Sequence, residues 1–113
     1  MNIKTKTIEQ VGVLMLKGKL MGEPATSQIR DEIKSFFGEN IKNIVIDLSG
    51  VSWMNSLGMG ALMSAYTTVL NAGGDLRLSG VTEKVRSLMM ITKLIRIFKT
   101  YENVEEAAAS FKK

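Results

Sequence analysis

The spacing of hydrophobic positions changes several times along this chain, from the alternation or short runs of strands to the three- and four-residue spacing of helices. Apolar residues cluster from Ile3 to Glu9 and from Val11 to Lys17, on either side of Gln10, which predicts two early strands consistent with a hairpin. Gly22, Glu23 and Pro24 interrupt that pattern. Ala25, Ile29, Ile33, Phe36 and Phe37 then recur at helical spacing and predict a helix over 25–37, with Pro24 in its first turn. NIVIDL, residues 43–48, is a β-branched run bounded by Ser49-Gly50, the pattern of a central strand buried on both faces. Leu57, Met59, Leu62, Met63, Tyr66, Val69 and Leu70 predict a helix over 56–70, closed by Gly73-Gly74. DLRLS, residues 75–79, alternates between two glycines and reads as another strand. Thr82 is placed to cap a helix over 82–90, and a final helix is expected over 104–111, with room for a short strand near Phe98.

The resulting order, ββαβαβαα, predicts an α/β domain: a mixed four- to five-stranded β-sheet, mostly parallel at its centre, with α-helices packed against it through right-handed crossovers. No internal repeat, low-complexity stretch or Pro/Gly/Ser-rich linker divides the chain, so residues 1–113 are read as a single domain.

Composition narrows the chemistry. Apolar residues are 45% of the chain and charged residues 23%, ordinary for a globular fold. The chain has 0 Cys and 0 His, which removes thiolate nucleophiles, thiolate metal sites, the usual general base and the commonest metal ligand. No carboxylate or lysine pair sits in a catalytic motif, so the expectation is a non-enzyme with no catalytic residue, no metal and no cofactor. The early apolar run VGVLML is short and lacks a cleavage pattern, and Lys, Arg or Gly interrupts every apolar stretch before it reaches spanning length. A soluble, cytoplasmic protein with no membrane partner is expected. The formal net charge is +4, and Lys84, Arg86, Lys93, Arg96 and Lys99 crowd the C-terminal third. These cations alternate with Val85, Leu88, Met89, Ile91, Leu94, Ile95 and Ile97 at helical spacing, which reads as the wet face of an amphipathic helix. No direct nucleic-acid binding is expected.

The stretch IVIDLSGVSWMNSLGMGALMSAY places a strand end, a short loop over Trp53–Ser56 and a helix start in succession. Ser56 falls where an N-cap is expected. Two readings stay open on the residues alone. In one, Ser56 only caps while Gly58 and Gly60 let the helix approach the sheet; in the other, an accessible hydroxyl is a site of modification. Trp53 likewise reads either as an exposed anchor or as aromatic core beneath the loop. SLGMGAL lacks the third glycine of GxGxxG and no Walker lysine follows, so a nucleotide loop does not fit.

NIVIDLSGVSWMNSLGMGAL resembles, without a gap, the strand VxLDLSGV and the motif DSSGLG of the STAS domain, the fold of bacterial anti-sigma factor antagonists. AGGDLRLSGVTEKVRSLM and IFKTYENVEEAAASF are similar to the family's later segments. The resemblance implies that Ser56, matching the first serine of the motif, is the phosphorylated residue, and that Trp53, Met54, Asn55, Ser56, Leu57, Gly58 and Met59 form the partner-binding surface. It implies a partner switch: the unphosphorylated protein binds an anti-sigma factor that is also a serine kinase, phosphorylation releases it, and a PP2C-type phosphatase resets it. Three residues depart from the pattern. Asn55 replaces the motif's aspartate, Leu57 its second hydroxyl residue, and Met21 an aspartate found after the early strands. The alternative function is a non-phosphorylated STAS scaffold or accessory subunit of a transporter or other regulatory assembly.

Overall fold

The computed structural model describes residues 1–112. Strands β1 (Asn2–Ile8) and β2 (Val11–Leu20) are followed by helix α1 (Ala25–Gly38), strand β3 (Asn43–Met54), helix α2 (Ser56–Asn71), strand β4 (Leu76–Ser79), helix α3 (Glu83–Ile91), a 3₁₀ turn over Leu94–Arg96, strand β5 (Thr100–Tyr101) and helix α4 (Val104–Ala109). The five strands lie in the order β1-β2-β3-β4-β5, antiparallel between β1 and β2 and parallel thereafter. The mixed α/β sheet expected from the alternation of periods is therefore present, with the last strand two residues beyond Phe98.

Two elements run longer than their local patterns predict. β2 continues past Lys17 to Leu20, and β3 continues past Leu48 to Met54. Ser49 and Gly50 do not end β3, because β2 keeps pairing with it up to Leu20 opposite Met54. The pairing is irregular between Met15 and Lys17 and again between Gly18 and Lys19, each time with an additional β3 residue. Such bulges let a strand pass turn-type residues while bending it. The segment around Trp53 and Met54 is consequently strand, not loop.

β3 is central, and its residues fill both sides of the sheet. Ile44, Ile46 and Leu48 enter the larger core with Ile29, Ile33, Leu62, Val69, Val85 and Met89 of α1, α2 and α3. Val45 faces the other way, toward Val11, Val13 and the α4 residues Val104, Ala107 and Ala108. Arg77 ties α4 to that side: its guanidinium donates to the Ser110 carbonyl at 2.7 Å, pairs with Asp75 at 3.2 Å and lies 4.2 Å from the centre of the Phe111 ring.

A polar knot sits where β3 leaves β4. Ser79 Oγ donates to Asp47 Oδ1 at 2.8 Å, and Ser49 Oγ donates to Asp47 Oδ2 at 2.6 Å. Gly80 stands in a left-handed conformation, φ 62°, with its bare α-carbon facing this carboxylate. A buried carboxylate needs such donors, since leaving one unpaired costs more than the hydrogen bonds themselves contribute.

Candidate partner-binding site at the head of α2

Asn55 alone separates the end of β3 from the start of α2. Its backbone is extended, φ −117° and ψ −172°, its side-chain oxygen accepts from Gly58 N–H at 3.0 Å, and its carbonyl accepts from Met59 N–H at 3.0 Å. Asn55 is thus the N-cap, which corrects the expectation that Ser56 fills that role. Asn and Ser cap equally well. The choice falls one residue earlier because Asn55 N–H reaches the Leu20 carbonyl at 3.4 Å, holding it in line with the paired strands.

Ser56 becomes the first helical residue, and its side chain is exposed. Among the described residues no hydrogen bond engages its hydroxyl. Not engaged in capping, this exposed residue stands at the positive end of a 16-residue helix whose first turn has no acidic residue.

The residues around it divide by direction. Trp53 is 47% exposed, Leu57 64% and Met21, in the loop after β2, 45%. Leu57 packs beside that loop, its side chain 3.4 Å from where a β-carbon on Gly22 would lie. These three are the exposed apolar side chains on the segments that meet at the head of α2, an apolar collar where Ser56 starts the helix. Met54, Gly58 and Met59 do not: all three are buried, which corrects their inclusion in the exposed surface. Strand alternation turns Met54 inward once Trp53 faces out, and helical spacing carries Met59 into the core with Leu62. Gly58 is buried because the head of α2 presses on β2; a β-carbon there would collide with the Leu20 carbonyl and lie 2.7 Å from Met54 Cγ. Gly60 has open space around it and has no comparable role.

The collar includes one residue that the motif resemblance marks only as a departure, Met21. Its place beside the helix head follows from β2 pairing with β3 to their ends, which no local pattern reveals. A shallow groove of ≈ 350 Å³ next to the collar, lined by residues of β3 from Ser49 to Ser52 and by Thr82, Glu83 and Lys84, separates it from the head of α3. In the same loop as Met21, the Glu23 carboxylate accepts from Ser27 Oγ at 2.9 Å and Ser27 N–H at 3.0 Å, and these bonds hold its pKa below the ordinary carboxylate value.

No group of metal-binding side chains occurs among the described residues. Around Ser56 the arrangement offers an exposed hydroxyl residue and an apolar rim.

A five-stranded sheet with one antiparallel edge, three helices on one face and one on the other, and an exposed serine at the head of α2 define the class. The family model of the STAS domain matches residues 2–107, and the chain belongs to that family. Among curated relatives it is 29% identical over 102 residues to a Thermotoga neapolitana protein named as a candidate anti-sigma factor antagonist, covering 90% of each chain. Among solved structures it superposes with a TM-score of 0.87 on a candidate anti-sigma factor antagonist of Thermotoga maritima, at 25% identity, covering 98% of this chain and 95% of that one. The fold also matches the phosphorylated form of the Bacillus cell fate determinant SpoIIAA, with a TM-score of 0.74, 19% identity and coverage of 98% and 100%.

Proposed function

We propose that this protein is an anti-sigma factor antagonist that works by partner switching, with Ser56 as its phosphorylation site. The observation carrying this reading is the exposed, uncapped Ser56 hydroxyl inside the collar of Trp53, Leu57 and Met21. Unmodified, this surface docks an anti-sigma factor that doubles as a serine kinase; phosphorylated, it is released, and a PP2C-type phosphatase restores it.

The physics of the switch is local. A phosphate on Ser56 adds about −1.5 to −2 charges. At the positive end of α2 that anion is favoured by roughly 0.3–1 kcal/mol, so the domain stays folded. A partner covering the collar must bury the same anion with no prepared cation, at a cost of at least several kcal/mol, and about 1.4 kcal/mol is already tenfold in affinity. Trp53 is the side chain best suited to anchor the unmodified complex.

Phosphopeptide mass spectrometry of protein from its native cell tests the reading: phosphate on Ser56 under some growth or stress condition supports it, and its absence under all of them, with no copurifying serine kinase, removes it. The same fold without phosphorylation, acting as a scaffold or accessory subunit, is the second reading. It is favoured by Leu57 and Asn55, which replace a hydroxyl and a carboxylate beside the serine, and copurification with transporter subunits would select it.

A further inference from the structure

A second exposed apolar surface lies at the other end of the fold. α3 starts at the carboxyl edge of the parallel strands, where Ser56 also stands, and runs back toward the amino edge, where Lys99 leads into β5. Met90 and Ile91 close α3 and are 62% and 80% exposed; Ile97, just past the 3₁₀ turn, is 39% exposed. Lys93, between them, adopts a left-handed φ of 64° to end the helix, a position usually given to glycine. Arg96 and Lys99 are exposed beside it.

Charge along this segment is one-sided. From Lys84 to Tyr101 there are five cations and no carboxylate, while the chain as a whole has 15 cations against 11 carboxylates. This segment is therefore strongly positive, while the rest of the chain, with ten cations against 11 carboxylates, is slightly negative. Among the described residues none of the five cations is in an ion pair; the pairs there are Lys6 with Glu105, Arg77 with Asp75 and Lys112 with Glu9.

We infer that the end of α3 and the turn after it form a peripheral docking surface for an anionic lipid bilayer, with Met90, Ile91 and Ile97 entering the headgroup boundary and Lys93, Arg96 and Lys99 meeting the lipid phosphates. Apolar tips flanked by unpaired cations fit such an interface, which needs no complementary pocket. The collar at Ser56 differs in having Trp53, the kind of anchor that protein interfaces use, whereas the one aromatic of this segment outside β5, Phe98, is buried in the core. Bases would be read by hydrogen-bonding or stacking side chains; around Lys93, Arg96 and Lys99 the exposed neighbours are Met90, Ile91 and Ile97, and the hydroxyl of Thr92 is spent on the Leu88 and Met89 carbonyls of its own helix. The expectation of no membrane contact rested on the lack of a span; docking of this kind needs none, and no helix among the described residues is long and apolar enough to cross a membrane. The surface acts independently of Ser56 and leaves it facing solvent.

Cosedimentation of the full chain with vesicles of phosphatidylcholine alone, or mixed with phosphatidylglycerol, tests this. Binding is expected to the mixed vesicles only, to weaken with salt, to fall by about fivefold for each of Lys93→Gln, Arg96→Gln and Lys99→Gln, and to fall by at least tenfold in Met90→Ser/Ile91→Ser, whose replaced side chains are outside the core. Circular dichroism and the thermal midpoint check that each variant is folded. Failure to bind the mixed vesicles overturns the proposal. So does binding that is unchanged in Met90→Ser/Ile91→Ser, or matched by duplex DNA or polyglutamate, since either would mark a surface read only through its charge.

Discussion

The heads of α2 and α3 stand side by side at the carboxyl edge of the sheet, yet they are finished differently. α3 is capped by Thr82, whose hydroxyl accepts from Val85 N–H at 3.4 Å, and has Glu83 in its first turn. α4 repeats the scheme with Asn103 as cap and Glu105 and Glu106 following. α2 has the cap, Asn55, but no acidic residue after it; Ser56 and the exposed Leu57 occupy those positions instead. The macrodipole of α3 and α4 is answered by their own carboxylates, while the first turn of α2 has none. Capping and charge compensation are separate tasks, and only at α2 are they separated in a way that leaves a serine free.

Substitutions at six positions would break or sharpen that contrast. The largest effect is expected from Gly58→Ala, which places a methyl group against the backbone of Leu20 and should lower unfolding free energy by about 3 kcal/mol in urea denaturation; Gly60→Ala, in open space within the same helix, should be neutral or slightly stabilising. Next comes Ser56→Asp, expected to stay folded and to lose tenfold or more in affinity for the kinase partner by titration calorimetry, while Ser56→Ala keeps both fold and binding. Equal binding by the two variants would refute the switch.

Asn55→Ala should cost about 1 kcal/mol, and Thr82→Ala about the same at α3, because each removes one cap. Asn55→Asp tests the open dipole directly: it keeps the cap and is expected to gain roughly 0.3–1 kcal/mol at low salt. The smallest effect concerns Glu23. Its pKa is lowered in the folded protein, so its contribution is fully present above the ordinary carboxylate value and is lost as pH falls through the folded value. Ser27→Ala removes the hydroxyl bond and keeps the N–H bond, so it should reduce that slight acid sensitivity and leave neutral-pH stability nearly unchanged, as seen in acid unfolding curves.

The sequence by itself determined the order of strands and helices, the doubly buried run at Ile44–Ile46 and the start of α2 at Ser56. Those features follow from periodicity and capping preferences that act within a few residues. Only the tertiary structure decided that β3 runs on to Met54, that Met54 faces inward, that Asn55 and not Ser56 caps, and that Met21 joins the collar. Each of these depends on β2, whose Leu20 carbonyl meets Asn55 and crowds Gly58 from some 35 positions earlier in the chain. Asn and Ser are equally good caps in isolation, so a contact between distant segments selected the cap, and that selection released the hydroxyl on which the proposed switch turns.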